Sequence, residues 1–360
     1  MRPLRACTLL LSLSLAGCAS LGYYAHVGRG HAAVMLAARD ARDIVADPSA
    51  TPLLRERLAR ALAARAFAAD RLGLPRNRSY TRYVALDRPF VTWSVFATPE
   101  FSLDPVLHCL PFAGCVPYRG YFDRAAAERE ANRLRAKGND VFVAGVSAYS
   151  TIGWFADPIL SSMLRSGADE LDGVIFHELA HQKLYVPGDA AFNESWASFV
   201  ERQGLREWRG ARGVREAAPL TAADREDAFH ASVRALRERL AELYATDLPA
   251  PVMRRKKAAE IEAFRERHRR ERIDPAWDAW VAQPIDNARL LPFALYRGWQ
   301  HAFANLFAAS GADWPTFHAC VTSISRLPGP QRHALLDALD AGSFQPRCDA
   351  ATGWQRAAVP

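Results

Sequence analysis

The sequence predicts an α+β fold that is mostly helical, and two observations support this class. Helical patterns occupy residues 23–74 and residues 205 to about 341 of the 360-residue chain. Between them, two segments are rich in the aromatic and β-branched residues that favour strands. We therefore expect a leader at residues 1–17, an N-terminal helical region at 18–78, a strand-containing core at 79–204 and a C-terminal helical region at 205–360.

The first seventeen residues have the pattern of an export signal. Basic residues open the segment, and an apolar run follows that is too short for the ~20 residues of a transmembrane helix. Leu15-Ala16-Gly17-Cys18 is similar to a bacterial lipobox, so we expect lipid attachment at Cys18 and membrane anchoring through it. Ala19 and Ser20 lack the acidic residue that favours inner-membrane retention, which indicates the periplasmic face of the outer membrane. Ordinary secretion is the alternative.

The elements up to residue 150 follow from periodicity and from turn residues. Helices are predicted at residues 31–46 and 52–72, with Asp47-Pro48-Ser49 between them. Strand residues cover 80–96, interrupted at Asp87-Arg88-Pro89. Alanine and charge predict a helix at 123–137, and a further strand is expected at 141–150.

The next helix carries the most informative motif of the chain, His177-Glu178-Leu179-Ala180-His181. Successive helical residues turn by about 100°, so His177 and His181 lie within about 40° of each other and both imidazoles can reach one ion. Glu178 lies about a third of a turn away, where its carboxylate can hold a water molecule instead of the metal. The helix is expected to end at Pro187-Gly188.

A second helical pattern starts near Asp189 and places Glu194 in its opening turns. Two helices joined by a short turn can pack antiparallel, which would bring Glu194 to the histidine pair as a third ligand. Three protein ligands and one open position are what catalytic zinc requires. Glu201 is another candidate ligand on the same face, and either Glu201 or Asp189 could instead orient a histidine from behind. A surface helix with two unrelated histidines is the remaining alternative.

These residues resemble known metallopeptidases. The motif with the downstream Asn193-Glu194-Ser195-Trp196-Ala197 is similar to the gluzincins, in which that glutamate is the third zinc ligand. The chain also resembles bacterial lipoproteins described as "putative aminopeptidases" through three blocks, namely residues 113–122, 148–155 and 176–197. The resemblance implies a gluzincin-like core, which consists of a small sheet with an edge strand and two active-site helices, extended by helices at both ends.

The segment from Val141 to Tyr149 has two possible uses. As in gluzincins, it could be an edge strand that pairs with an extended substrate, and Gly145 would then permit close approach of a peptide. It could equally be a central strand of the core. The strand has no obvious acidic motif to bind the free amine of a substrate, so the choice between exopeptidase and endopeptidase stays open.

The expected function is a zinc-dependent peptidase of the bacterial envelope that binds one Zn²⁺ and acts on peptides or exported proteins. Glu178 would be the general base. A donor to the developing oxyanion is also needed, and we rank Tyr149 and Tyr296 above Tyr185 and Arg289. The alternative, from another class, is a lipid-anchored binding or assembly factor with a structural metal site.

Cysteine usage agrees with export. Removal of Cys7 with the leader and use of Cys18 for lipid leave four cysteines, an even number that fits two disulfides. Cys109 and Cys115 flank a turn-rich loop and form a natural local pair, which leaves Cys320 with Cys348. None of the four has the close spacing of a zinc site. Four reduced cysteines are the other possibility.

Charge adds little to the functional prediction. The whole chain carries a formal net charge of +7, and much of the basic density lies at residues 254–272. Glutamates alternate with the basic residues there, so a solvated helix face is preferred over contact with anionic lipid. Nucleic acid is not expected as a partner outside the cytoplasm.

Overall fold

Helices predominate in the computed structural model and the strands form small sheets, which confirms the α+β class. The structure describes residues 21–110, 114–165, 167–214, 222–294, 299–343, 345–351 and 353–356. Cys18 and Tyr296 therefore lie outside the described residues. No helix within these ranges is long and apolar enough to cross a membrane.

The helices and strands are numbered in chain order. The helices are α1 (21–37), α2 (Ala41–Ala46), α3 (Pro52–Asp70), α4 (Arg124–Arg135), α5 (Ala168–Lys183), α6 (Ala190–Ala211), α7 (Ala222–Tyr244), α8 (Ala250–Glu271), α9 (Asp278–Ala282), α10 (Leu291–Ala294), α11 (Gln300–Ala309), α12 (Trp314–Ser325) and α13 (Gly329–Asp340). The strands are β1 (Arg39–Asp40), β2 (Arg82–Val84), β3 (Thr92–Pro99), β4 (His108–Leu110), β5 (Gly114–Val116), β6 (Tyr118–Tyr121), β7 (Asn139–Val146), β8 (Ile159–Leu160), β9 (Pro346–Asp349) and β10 (Gly353–Arg356).

The predicted helix at residues 31–46 is wrong because the chain breaks at Arg39–Asp40 to form β1, which pairs with β2. Asp40 causes the break. Its side chain accepts a hydrogen bond from the Arg42 backbone amide at 2.8 Å and so caps α2. The backbone amide of Ala41 then donates to Thr81 rather than to a carbonyl of α1.

The main sheet is antiparallel with the order β6-β3-β7. One face packs on α4 through an apolar cluster that includes Trp93 and Leu134. The opposite face places Phe96 against Ala288 and Leu291 of the C-terminal region. β7 pairs only with β3 among the described strands and is therefore an edge strand.

Two antiparallel helices form the centre of the largest core. α5 ends at Lys183 and α6 begins at Ala190, as expected from Pro187-Gly188 between them. Fully buried Phe176 and Trp196 lie between the helices, and the Trp196 indole donates to the Ala180 carbonyl at 3.3 Å. α3 and the helices α11–α13 complete this core.

The C-terminal region divides between two cores. Helices α7–α10 surround a separate aromatic cluster that contains Phe229, Phe264 and Phe293. α8 carries the basic run, and Arg269 forms ion pairs with Glu262 and Glu266 on its exposed face. These pairs are those of a solvated helix face.

Both expected disulfides are present in the structure. Cys109–Cys115 links the short hairpin β4–β5. Cys320–Cys348 joins α12 to β9, so that it attaches the C-terminal hairpin β9–β10 to the main core. The four cysteines therefore hold no metal.

Candidate metal centre

Three side chains from α5 and α6 converge on one point. The Nε2 atoms of His177 and His181 lie 3.1 Å apart. One carboxylate oxygen of Glu194 lies 3.3 Å from Nε2 of His177, and the other lies 3.6 Å from Nε2 of His181. Ligand atoms from the three residues all lie within 4.8 Å of one another, so the group could bind a metal ion. In the part of the chain that is described, no second such group is found.

Asn193 fixes the carboxylate donor relative to the histidines. Its side-chain oxygen accepts from the backbone amide of Val186 at 2.8 Å, and its amide nitrogen donates to the Val186 carbonyl at 2.8 Å. These two hydrogen bonds join the start of α6 to the turn that follows α5. Glu194 is the next residue, so the clamp determines where its side chain meets α5.

The Glu201 carboxylate does not lie where the three candidate ligands converge, but on the far side of the His177 ring. Its carboxylate lies 3.0 Å from Nδ1 of His177, on the opposite side of the ring from Glu194. A carboxylate in this position fixes the orientation of a metal-binding imidazole. Of the two roles that the sequence left open for Glu201, the geometry favours the orienting one.

Asp189, the other predicted orienting residue, lies elsewhere. Its carboxylate caps α6 through the Phe192 backbone amide at 3.1 Å and pairs with Arg332 and His333 of α13. Its partners are thus on the C-terminal helices, and neither metal-facing histidine contacts it. The expectation for Asp189 was wrong because the cap turns its side chain away from α5.

The electrostatics of the group favour a bound cation. Burial opposes charge on His177, but hydrogen bonds to Glu194 and Glu201 raise its pKa well above the usual value. Burial and the adjacent His177 lower the pKa of His181 to about 4. Burial opposes ionisation of Glu194, yet the hydrogen bond from His177 lowers its pKa. The donor set at the convergence point, two imidazole nitrogens and one carboxylate, fits zinc.

Glu178 lies beside the ligands on the adjoining face of α5. Burial raises its pKa to about 7, an effect that Glu194 and Asp157 increase and that His177 reduces. A carboxyl group with such a pKa can accept and release a proton near neutral pH.

The loop that follows β7 supports the Glu178 side of α5. Asp157 is almost fully buried and accepts hydrogen bonds from Ser150 and Thr151 at 2.8–3.2 Å. The side-chain amide of Gln182, one turn after Glu178, donates to the same Asp157 carboxylate at 3.5 Å. The loop is thereby joined to α5 one turn from Glu178.

Two of the predicted oxyanion donors, Tyr149 and Arg289, have their polar groups engaged elsewhere. The Tyr149 hydroxyl lies 2.9 Å from Nδ1 of His31 on α1 and is engaged there. Arg289 donates to the carbonyls of Pro284 and Trp280, among the C-terminal helices. Tyr296 lies outside the described residues. Residues 147–150 follow the end of β7, and the Tyr149 ring packs edge-on against His31 of α1, so its role as an oxyanion donor stays a prediction.

Two tyrosines lie near the centre, namely Tyr185, one of the lower-ranked candidates, and Tyr118. Burial, together with Glu194, Tyr185 and Glu178, raises the pKa of Tyr118 to about 12. The Tyr185 ring lies edge-on to His181 with 6.4 Å between ring centroids. Tyr118 is 38% exposed, so part of the residue reaches solvent. Sequence reasoning did not single out Tyr118, although it lies in a block that carried the family resemblance.

The edge strand β7 is partly covered at its start. Burial raises the pKa of Asp286, which also accepts a hydrogen bond from the Val141 backbone, and Arg135 approaches the Val141 carbonyl at 3.4 Å. The space beside the Gly145 Cα is filled by Phe90, because a Cβ at this position would collide with the Phe90 ring. The glycine instead accommodates Phe90, which corrects the expected reason for it.

Comparison with known proteins gives one match. No curated protein and no solved structure is detectably similar to the chain. The profile of the family described as "Putative aminopeptidase" matches residues 22–336, which include α5, α6 and both tyrosines of the centre. Because this match covers most of the sequence, the chain belongs to the "Putative aminopeptidase" family.

Proposed function

We propose that this protein is a zinc-dependent peptidase of the bacterial cell envelope, with Glu178 as general base. The observation that carries the proposal is the convergence of His177, His181 and Glu194, with a second carboxyl group beside them. Membership of the family supports a peptidase-type activity. Two imidazole nitrogens and one carboxylate are a donor set typical of catalytic zinc.

The residues of the centre have three separate roles in the proposed reaction, namely metal binding, proton transfer and positioning of a ligand. Zinc held by His177, His181 and Glu194 would polarise a substrate carbonyl and lower the pKa of water to about 7. The Glu178 carboxylate accepts the proton of the attacking water and delivers it to the nitrogen of the leaving amine. Glu201 keeps the His177 ring in position through Nδ1.

Tyr118 and Tyr185 provide donors for the carbonyl oxygen as it gains negative charge. Burial raises the pKa of both phenols, so both remain protonated at neutral pH and can donate. A donor that is already oriented contributes to catalysis without reorganisation. Tyr118 ranks first because Glu194 and Glu178 both contribute to the raised pKa of its hydroxyl.

Location and substrate complete the proposal. Export through the leader and lipid attachment at Cys18 would hold the enzyme on the periplasmic face of the outer membrane, where peptides and exported proteins are the available substrates. The family description favours action at the N-terminus of peptides. A peptide library with free and blocked N-termini tests this, because cleavage of blocked peptides would exclude a strict aminopeptidase.

The substitution Glu178→Gln tests the central proposal. The variant should retain about one zinc ion per chain, measured by elemental analysis, because Glu178 is not a ligand. It should lose peptide cleavage, because an amide cannot accept the proton. Full cleavage by the variant would refute the proposed base. A wild-type protein that holds zinc but cleaves no peptide in the library would instead favour a lipid-anchored binding factor with a structural metal.

A further inference from the structure

A cleft of about 690 Å³ lies apart from the metal centre, beside β1 and β2. It is formed by the start of α2, by α3 and by the segment that leads into β2. Its charged lining consists of five arginines and one aspartate, namely Asp40, Arg42, Arg65, Arg76, Arg78 and Arg82. The cleft is therefore a concave surface with an excess of positive charge.

The protein itself does not neutralise most of this charge. Arg65 donates to the Ser79 carbonyl at 2.6 Å, and Arg82 donates to the Ala38 carbonyl. A carbonyl satisfies a hydrogen-bond donor but leaves the positive charge in place. Arg42 and Arg78 form no ion pair with a carboxylate among the described residues. Arg76 pairs with Asp70, and both side chains are largely exposed.

Arg65 makes the cleft more than a set of surface side chains. It is only 9% exposed, and its two backbone acceptors, the carbonyls of Asn77 and Ser79, hold it in one orientation. Burial and the nearby Arg76 and Arg42 lower the pKa of its guanidinium. Placing a buried cation among like charges costs free energy, and an anionic ligand would remove that cost.

We propose that this cleft binds a phosphoryl group with two or more negative charges, such as a phosphate monoester or a diphosphate. Guanidinium groups match phosphate oxygens in a planar, bidentate manner. A single carboxylate offers two oxygens and one charge, which one arginine satisfies, whereas several arginines around a cleft of this size suit a ligand with more oxygens. The ligand could come from solution or from the headgroup of a lipid.

The cleft is linked to the metal centre through one side chain. Asn77, which also lines the cleft, donates to the Gln182 side chain at 2.7 Å, and Gln182 donates to the Ser79 hydroxyl at 3.3 Å. Gln182 follows His181 directly on α5. An anion in the cleft would therefore stabilise the segment 77–79, which contacts the helix of the metal ligands.

Binding of inorganic pyrophosphate to the purified full chain tests the proposal by calorimetry. The double variant Arg42→Ala/Arg78→Ala should bind it at least about tenfold more weakly, because two charge-assisted contacts are lost. The control Arg124→Ala/Arg129→Ala removes the same charge from α4, where both side chains are 73% exposed, and should bind like the wild type. Thermal unfolding without ligand establishes that both variants are folded.

Two further ligands distinguish the sources. Glycerol phosphate carries the headgroup alone, and a soluble short-chain phosphatidic acid adds acyl chains. Tighter binding of the short-chain lipid identifies a lipid headgroup as the ligand, and equal binding identifies a free phosphoryl compound. Absence of pyrophosphate binding to the wild type, or an equal loss in the α4 control, would overturn the proposal. None of these measurements uses peptide hydrolysis, so the result is independent of the proposed peptidase activity.

Discussion

At the scale of single residues, Glu201 should affect metal affinity although it is not one of the three candidate ligands. It holds Nδ1 of His177, and loss of such a partner lowers metal affinity about 10- to 100-fold. We expect Glu201→Gln to show a loss of this size in a competition titration with a chelator. Glu242→Gln, which removes an exposed carboxylate from α7, is the matched control and should leave the affinity unchanged.

The phenol of Tyr118 gives a second residue-level prediction. Tyr118→Phe removes only the hydroxyl, so kcat should fall about 100-fold with little change in KM, as for the loss of one oxyanion donor. Steady-state kinetics on a single peptide measures both constants. Tyr24→Phe on α1 is the control, since Tyr24 is similarly exposed at 41%. Unchanged kcat in Tyr118→Phe, together with a large loss in Tyr185→Phe, would transfer the role to Tyr185.

The candidate ligands could be predicted from the sequence but the proposed donor Tyr118 could not, and the reason is physical. His177, Glu178 and His181 belong to one turn of helix, so their spacing alone determines that they meet. Glu194 could be predicted to join them because only a short turn separates α5 from α6. Tyr118 reaches the centre through the pairing of β6 with β3, and no local spacing relates a residue on that strand to a helix far along the chain. Tyr149 was ranked high without any decisive spacing, and its hydroxyl lies beside His31.

At the scale of secondary-structure elements, the buried pair between Asp189 and Arg332 joins α6 to α13. Asp189→Asn should lower the free energy of unfolding by about 3 kcal/mol, because it leaves a buried guanidinium without its counter-charge. Asparagine is also a good N-cap, so the loss reports the ion pair and not the cap. Asp313→Asn, an exposed N-cap of α12 without an arginine partner, should cost less than about 0.5 kcal/mol in the same urea titration.

The pair also predicts a pH dependence. Burial opposes ionisation of Asp189, but hydrogen bonds from Arg332, the Phe192 amide and His333 outweigh it and lower its pKa. The folded pKa then lies below the unfolded value of about 3.9, so the stabilisation is complete above that pH and is lost as the pH falls through the folded pKa. The stabilities of wild type and Asp189→Asn should converge in acid. A difference that stayed constant down to about pH 2 would contradict this assignment.

Helices and strands could be predicted where a single periodic pattern of residues dominated. They could not be predicted where a local hydrogen bond favoured a different backbone conformation. α5 and α6 follow from apolar spacing and a turn at Gly188. The break at Asp40 was missed because a cap competes with a continuous helical pattern, and only the pairing of β1 with β2 decides between them. The arginine cleft is likewise invisible in the sequence, since its residues come from three elements.

At the scale of the whole molecule, the metal centre depends on helices that follow it by more than 100 residues. Phe303 of α11 and Phe317 of α12 contact Trp196, which lies on α6 two residues after Glu194. The C-terminal region thus stabilises the helix that supplies the carboxylate ligand. The contrast between the two disulfides follows from this arrangement.

Loss of Cys320–Cys348 should destabilise the molecule more than loss of Cys109–Cys115. The first closes a segment with a sequence separation of 28 and the second one of 6, which corresponds to about 3.5 and about 2 kcal/mol in the chain-entropy account. Cys320 is also fully buried in the main core, whereas the second disulfide lies on an exposed hairpin. Urea unfolding of Cys320→Ala/Cys348→Ala and of Cys109→Ala/Cys115→Ala measures the loss in the free energy of unfolding for each disulfide. An equal or larger loss in the second variant would contradict this prediction and would show that the hairpin β4–β5 contributes at least as much stability as β9–β10.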